Sequence, residues 1–125
     1  LVDEAWGNDC HYSPWREDSR PPAGIMHGLF VFTSVAEMYV QMAKHEPPSN
    51  ERDRRLALLN EQLIRAIQVS QSFNGFSNSA MAICDMASNM LDDRLHIPSE
   101  ASRLWASERA QSDFEKWSHL NNKEA

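Results

Sequence analysis

Positive charge is scarce in this sequence. Its 125 residues include 12 Lys and Arg against 18 Asp and Glu, which gives a formal net charge of -6. Proteins that bind nucleic acid without sequence preference need a basic face to displace counterions from phosphates, so we expect no nucleic-acid partner. No run of basic residues indicates attachment to an anionic membrane surface either.

Cysteine is also scarce, with only Cys10 and Cys84 in the chain. Their separation does not match the short spacing of metal-binding or redox cysteine pairs. The sequence leaves one disulfide open. Six methionines and the lack of a secretory signal favour a reduced, cytoplasmic chain.

Several motifs that carry chemistry are missing. The sequence has no Gly-rich phosphate loop, no GxSxG nucleophile elbow and no Cys-x-x-Cys pair. The metal-binding motif HExxH is missing too, because the run HEPPS at His45 has no second histidine and is interrupted by Pro47 and Pro48. No two histidines lie three or four residues apart. The chain by itself therefore predicts no complete metal site.

The only candidate for a membrane span is the apolar segment at residues 25–42. It contains five polar side chains, which are His27, Thr33, Ser34, Glu37 and Gln41. A lipid-facing helix seldom carries so many polar groups. We therefore predict a buried core helix and no membrane partner.

Helical patterns fill the chain after an irregular segment at residues 1–21. That segment is rich in turn-forming residues and carries Trp6, Tyr12 and Trp15, so we expect it to pack as a loop against another surface. The predicted helices run over about 22–44, from Ser49 or Asn50 to a glycine cap at Gly75, over about 79–95 and over about 99–120. The fold predicted is a single all-α region, a bundle of about four helices.

The first helix is apolar on more than one face, which is typical of a helix in the middle of a bundle. One stripe includes Ile25, Leu29, Phe32, Ala36 and Tyr39, and a second includes His27, Val31, Ser34, Val35, Met38 and Met42. Its neighbours are only weakly amphipathic. In the third helix we expect Met81, Ile83, Cys84, Met86, Ala87, Met90 and Leu91 to point inward, and in the fourth Leu104, Trp105, Phe114 and Trp117. The excess apolar surface suggests packing on a missing upstream segment or a partner chain.

His27 lies between Gly24 and Gly28. Each glycine lowers helix propensity by about 1 kcal/mol relative to alanine, and a glycine inside a helix usually marks the close approach of a backbone or a ligand. His27 is therefore either a core histidine bonded to a carbonyl or a metal ligand or acid/base group. The other helix-end histidines, His45, His96 and His119, are interpreted as structural.

Arg16, Glu17, Asp18 and Arg20 form a cluster of alternating charge just before the first helix. Such a cluster is either a solvated loop with local ion pairs or a site where one arginine binds a carboxylate through two hydrogen bonds. In the second case Tyr12 or Trp15 would stack on the guanidinium plane.

The run YSPWREDSRPPAGIMHGLFVFTSVAEMY, residues 12–39, resembles the HEXXH-motif proteins of bacterial natural-product clusters. The likeness covers about thirty residues and combines the elements W-R-x-D-x-R-P and H-G in order. That family includes enzymes that look like iron- and 2-oxoglutarate-dependent β-hydroxylases of ribosomal precursor peptides. The resemblance implies a cytoplasmic dioxygenase acting on a peptide substrate.

In that family an HExxH helix precedes this run and supplies two histidine ligands of Fe(II). The resemblance implies that His27 is a third metal ligand and that Arg16 or Arg20 holds the carboxylate of 2-oxoglutarate. We further expect Tyr12, Trp15 and Ser34 to line the substrate pocket. The chain starts after the position of HExxH, so it would be the C-terminal part of a larger enzyme, or one subunit completed by an upstream segment or a second chain.

Two other functions stay open. An HExxH scaffold also suits a zinc metallopeptidase, in which the glutamate acts as general base. A non-catalytic helical module that binds a partner through the aromatic loop and the first helix is the other alternative. The cofactor separates the first two, because only the oxygenase consumes 2-oxoglutarate and adds one oxygen atom to its substrate.

Overall fold

Four α-helices make up the fold in the computed structural model, which describes residues 10–73 and 78–121. They are α1 (Pro22–His45), α2 (Asn50–Ser70), α3 (Asn78–Asp92) and α4 (Glu100–Asn121). Within the described residues the only β-type pairing is an isolated antiparallel bridge between His11 and Arg20. The predicted all-α class is confirmed. Trp6 and the predicted cap at Gly75 lie outside the described residues.

The helix starts follow local sequence signals. Pro22 occupies the first turn of α1, where a missing backbone N–H costs nothing. Ser49 caps α2, since its side chain accepts a hydrogen bond from the backbone N–H of Arg52 at 3.2 Å. Ser99 does the same for α4, accepting from the backbone N–H of Ser102 at 3.2 Å. These hydrogen bonds fix the residues at which α2 and α4 begin.

α2 is the central helix, packed against α1, α3 and α4, while α1 also contacts α3. Ile25 and Leu29 of α1 meet Leu56 and Leu63 of α2 in the core, and all four are almost fully buried. Burial of each such side chain contributes about 1.5–3 kcal/mol to stability. The buried positions of α3 are Ala80, Cys84, Ala87 and Leu91.

The inward face predicted for α3 was partly wrong. Met81 and Met86 are exposed, because the buried positions recur at Ala80, Cys84, Ala87 and Leu91 and these methionines fall beside that stripe. The predicted end of α3 near Leu95 was also too late. The helix stops at Asp92, and a turn follows in which the backbone N–H groups of Arg94 and Leu95 both bond to Leu91 O.

Arg94 is a buried cation that the sequence did not reveal. Its side chain is 3% exposed. One guanidinium nitrogen donates to Thr33 O at 3.0 Å and the other to Glu37 Oε2 at 2.8 Å. The turn after α3 is thereby fastened to the middle of α1.

The second apolar stripe of α1 is not buried as predicted. His27, Ser34 and Met38 are exposed, and so is Phe30 beside them; Phe30 is 48% and Met38 53% exposed. The buried residues of α1 include Ile25, Leu29 and Ala36 of the first stripe, together with Met26, Thr33 and Val40 beside it. By length and composition α1 could cross a membrane, but a core helix of a soluble protein meets the same test.

The fully buried positions of α4 are small residues, and only part of the predicted stripe is packed: Phe114 and Trp117 contact Tyr12. Ser102, Ala106 and Ala110 are its buried positions, whereas Leu104 is 63% exposed. Small side chains allow α4 to approach α2 closely. Trp105 is partly buried, and the guanidinium carbon of Arg54 lies 5.4 Å from the centroid of the Trp105 ring. The inward position predicted for Trp105 is therefore only partly right.

Candidate functional site

The segment before α1 is closed at its base into a loop, residues 11–20. The backbone N–H of His11 donates to Arg20 O at 2.7 Å, and that of Arg20 donates to His11 O at 2.9 Å. A turn inside the loop is held by the bond from the Arg16 N–H to Ser13 O at 3.2 Å. The loop is therefore ordered by its own backbone.

Two side chains of this loop lie directly on the glycines of α1. A Cβ atom at Gly28 would come within 2.9 Å of the Trp15 ring, and one at Gly24 within 3.0 Å of Arg20 Nε. Trp15 also stacks on Phe32, with ring centroids 4.7 Å apart and planes inclined by 19°. The two glycines are approached closely, but by side chains of the loop and not by the backbone or ligand that was predicted. The glycines therefore do not indicate a ligand at His27.

Tyr12 fastens the loop to α4. It is buried, with its ring 5.0 Å from that of Phe114 and 4.9 Å from that of Trp117. Burial raises the pKa of the Tyr12 hydroxyl above its ordinary value, although Arg65 acts in the opposite direction. The phenol therefore stays neutral over the physiological range.

A groove of about 710 Å³ runs between the loop, α1, α2 and α4. Its loop and α1 walls include Tyr12, Trp15, Arg16, Glu17, Phe32 and Tyr39. Its α2 and α4 walls include Arg55, Leu58, Gln62, Arg109, Lys116 and Trp117. The volume falls within the range of about 300–1,000 Å³ of small-molecule sites. We refer to this space as the α4 groove.

Tyr12, Trp15 and Arg16 are brought together in the α4 groove, whereas Arg20, His27 and Ser34 do not line it. The predicted site residues therefore divide between two surfaces. Ser34 is exposed on α1, and its hydroxyl donates to Phe30 O one turn earlier at 3.4 Å. That bond is local to the helix.

Arg16 is engaged within the loop. Its Nε donates to Asp18 Oδ1 at 2.8 Å, and both side chains are more than half exposed. This hydrogen bond lowers the pKa of Asp18 and raises the pKa of Arg16. The arrangement matches the solvated ion pair considered from the sequence.

His27 is exposed, so the interpretation as a core histidine bonded to a carbonyl was wrong. Gly24 precedes it by three residues, which places His27 beside the position covered by the Arg20 side chain. An exposed imidazole keeps a nitrogen lone pair available for a metal. Among residues 10–73 and 78–121, however, no group of three or more His, Cys, Asp or Glu side chains could hold a metal ion.

The α2 and α4 residues of the groove were missed in the sequence. Arg55, Leu58 and Gln62 recur at three- and four-residue spacing, as do Arg109, Asp113, Lys116 and Trp117. That spacing marks one face of each helix. This spacing is visible in the sequence. It does not show that the two faces line one groove, because that depends on how α4 packs against α2.

Comparison with known proteins gives no relative from which a role could be transferred. No protein-family model, no curated protein and no solved structure matches this chain.

Proposed function

We propose that this chain is one part of an Fe(II)- and 2-oxoglutarate-dependent oxygenase that hydroxylates a β-carbon of a peptide in natural-product biosynthesis, in the cytoplasm. The observation that carries the proposal is the exposure of His27 beside the position covered by Arg20. Both residues belong to the run at residues 12–39 that resembles the HEXXH-motif proteins.

His27 fits the role of one metal ligand and no more. Its imidazole is exposed, and no other His, Cys, Asp or Glu of the described residues completes a metal-binding group with it. The proposal therefore requires an upstream segment or a second chain that carries HExxH. Phe30 is exposed on α1 one turn after His27, and Met38 is exposed about two turns further along the helix. Both supply apolar surface against which such a segment would pack.

Arg20 fits the role of binding the 2-oxoglutarate carboxylate better than Arg16 does. Arg16 is already paired with Asp18, whereas no ion pair of Arg20 occurs among the described residues. Planar guanidinium groups bind carboxylates through two parallel hydrogen bonds. When bound, Fe(II) would activate dioxygen, which is the oxidant for both the C–H hydroxylation and the oxidative decarboxylation of 2-oxoglutarate to succinate and CO2. The chain's part is to orient these groups and exclude water.

The test uses the full-length protein together with any chain that purifies with it. Fe(II) and 2-oxoglutarate are added without oxygen, and the visible absorption is recorded for the wild type, His27→Ala and His45→Ala. We expect a weak charge-transfer band in the wild type and in His45→Ala, which changes an exposed histidine at the end of the same helix. The band should be lost in His27→Ala.

The same band in His27→Ala would contradict the proposed ligand. Oxygen is then admitted with a candidate peptide, and the product is analysed by mass spectrometry. The proposal expects a gain of one oxygen atom coupled to consumption of 2-oxoglutarate. Peptide cleavage without that consumption would instead indicate the zinc peptidase alternative.

A further inference from the structure

We infer that the α4 groove is a docking site for a short, extended, acidic peptide segment that carries an apolar side chain. This inference does not depend on the oxygenase chemistry, because Arg20, His27 and Ser34 do not line the groove. It rests on the length of the groove, its apolar base, its charge and the position of its unpaired cations on two different helices.

The length of the groove suits a few peptide residues. Its α1 side extends from Phe32 to Tyr39 and its α2 side from Arg55 to Gln62. Each span covers seven residue steps of helix, or about 10 Å at about 1.5 Å per residue. An extended chain rises about 3.3 Å per residue, so about three residues fit along the base.

The base of the groove accepts an apolar side chain. Trp15, Phe32, Val35 and Tyr39 line it and pack against the hydrophobic core from its edge, each only partly buried. The stacked pair of Trp15 and Phe32 presents a rigid aromatic surface at one end. Such surfaces bind aliphatic or aromatic groups with little loss of conformational freedom.

The charge of the groove is opposite to that of the whole chain. Arg16, Arg55, Arg109 and Lys116 line it against the acids Glu17 and Asp113, although the chain has a net charge of -6. Four of these charged side chains are basic and two are acidic, and a cleft with an excess of one sign of charge attracts ligands of the other sign. The groove therefore favours an anionic ligand.

Two of these cations are available to a ligand. Arg16 pairs with Asp18, and Arg109 pairs with Asp113 at 3.2 Å. No carboxylate of the described residues forms an ion pair with Arg55 or Lys116. Because Arg55 lies on α2 and Lys116 on α4, acidic groups at more than one point of an elongated ligand can be paired.

A peptide can carry acidic groups at several positions along its length, whereas an acyl chain with one carboxylate carries a single charge. Two unpaired cations on different helices therefore favour a peptide.

Fluorescence anisotropy with labelled hexapeptides tests this inference on the full-length protein. The probe is Asp-Glu-Phe-Leu-Glu-Asp with blocked ends, and the control probe is Lys-Arg-Phe-Leu-Lys-Arg. We expect the acidic peptide alone to bind, with an affinity that falls as salt is raised. Arg55→Glu and Lys116→Glu should each raise its Kd about fivefold, since each replaces an attraction with a repulsion.

Arg103→Glu is the matched control, because Arg103 is exposed on α4 but does not line the groove. It changes the net charge equally and should leave the Kd within about twofold of wild type. Equal binding of the two hexapeptides, no binding of the acidic one, or an equal loss in Arg103→Glu would overturn the assignment. Unlabelled acidic hexapeptide and 3-phenylpropionate are also compared as competitors of the labelled acidic peptide. Displacement by 3-phenylpropionate at the same concentration as the unlabelled hexapeptide would overturn the assignment in favour of a small carboxylate ligand.

Discussion

The Trp15 ring lies so close to Gly28 that a Cβ atom at position 28 would be 2.9 Å from two of its carbons. This contact connects the loop to α1, and the stacking of Trp15 on Phe32 extends it by one turn. The loop therefore owes its place on α1 to the lack of a side chain at Gly28. The groove wall formed by Trp15 has the same origin.

Gly28→Ala should destabilise the protein even though alanine is the better helix former. The gain in helix propensity is about 1 kcal/mol. It is opposed by displacement of a stacked indole ring, and such overpacking costs about 1–3 kcal/mol. We expect the free energy of unfolding in urea to fall by about 1 kcal/mol, with a change in tryptophan emission of the folded state.

Gly24→Ala is the control for that variant. Its new Cβ would meet Arg20 Nε at 3.0 Å, and the end of an arginine side chain can move aside. The propensity gain should then dominate, so we expect unfolding free energy equal to wild type or higher by up to about 1 kcal/mol. Equal behaviour of the two alanine variants would show that Trp15 does not restrict position 28.

Arg94→Met should lower the free energy of unfolding more than either glycine substitution does. It removes the bonds to Thr33 O and Glu37 Oε2 while keeping much of the buried stem. Hydrogen bonds made by charged groups are worth about 1.5–3 kcal/mol, so we expect a loss of about 2 kcal/mol in urea unfolding. Arg103→Met, at an exposed position, should change stability by less than about 0.5 kcal/mol. Similar effects of the two substitutions would mean that the Arg94 contacts add nothing.

The carboxylate of Asp53 should make the free energy of unfolding depend on pH in the acid range. Its Oδ2 accepts from the Ser99 N–H at 3.0 Å, which joins the start of α2 to the start of α4. Burial acts to raise the pKa of Asp53, but hydrogen bonds from Ser102 and Ser99 outweigh it, so the pKa lies below its ordinary value. A lowered folded-state pKa stabilises the fold above the unfolded-state pKa of about 3.9, and this contribution is lost as pH falls through the folded-state value.

Asp53→Asn removes this titration and provides the check. Wild type should be more stable than the variant near pH 7, and the difference should shrink below about pH 4. Unfolding by urea at a series of pH values measures it. A difference that stays constant down to pH 2 would show that the charge of Asp53 plays no part.

Local signals predicted much of the fold, and long-range packing decided the rest. Pro22 and Ser49 were recognised because a helix start depends on its own few residues. The end of α3 was placed too late, since it is followed by a turn held to α1 through Arg94, sixty-one residues from Thr33. No periodicity reveals such a contact.

The candidate site was predicted less completely for the same reason. Tyr12, Trp15 and Arg16 do lie together, because they share one short loop. Arg55 and Lys116 come from helices that are far apart in sequence, and only the packing of α4 on α2 brings them to that loop. The exposure of His27 was also missed, because an apolar stripe indicates a buried face without saying whether a partner covers it.

The structure separates the two arginines that the sequence could not rank. We expect Arg20→Ala to raise the apparent KM for 2-oxoglutarate by about ten- to a hundredfold, which corresponds to a charge-assisted pair worth about 1.5–3 kcal/mol. Arg16→Ala should raise it less than about threefold, because Arg16 is exposed and already paired with Asp18. Steady-state kinetics of the full-length protein, together with any chain that purifies with it, at varied 2-oxoglutarate provide the measurement for the proposed oxygenase activity. Arg20→Lys keeps the charge but not the planar fork, so it should restore only part of the loss. A larger effect of Arg16→Ala would move the carboxylate site to the groove, and an unchanged KM in both variants would remove 2-oxoglutarate from this loop altogether.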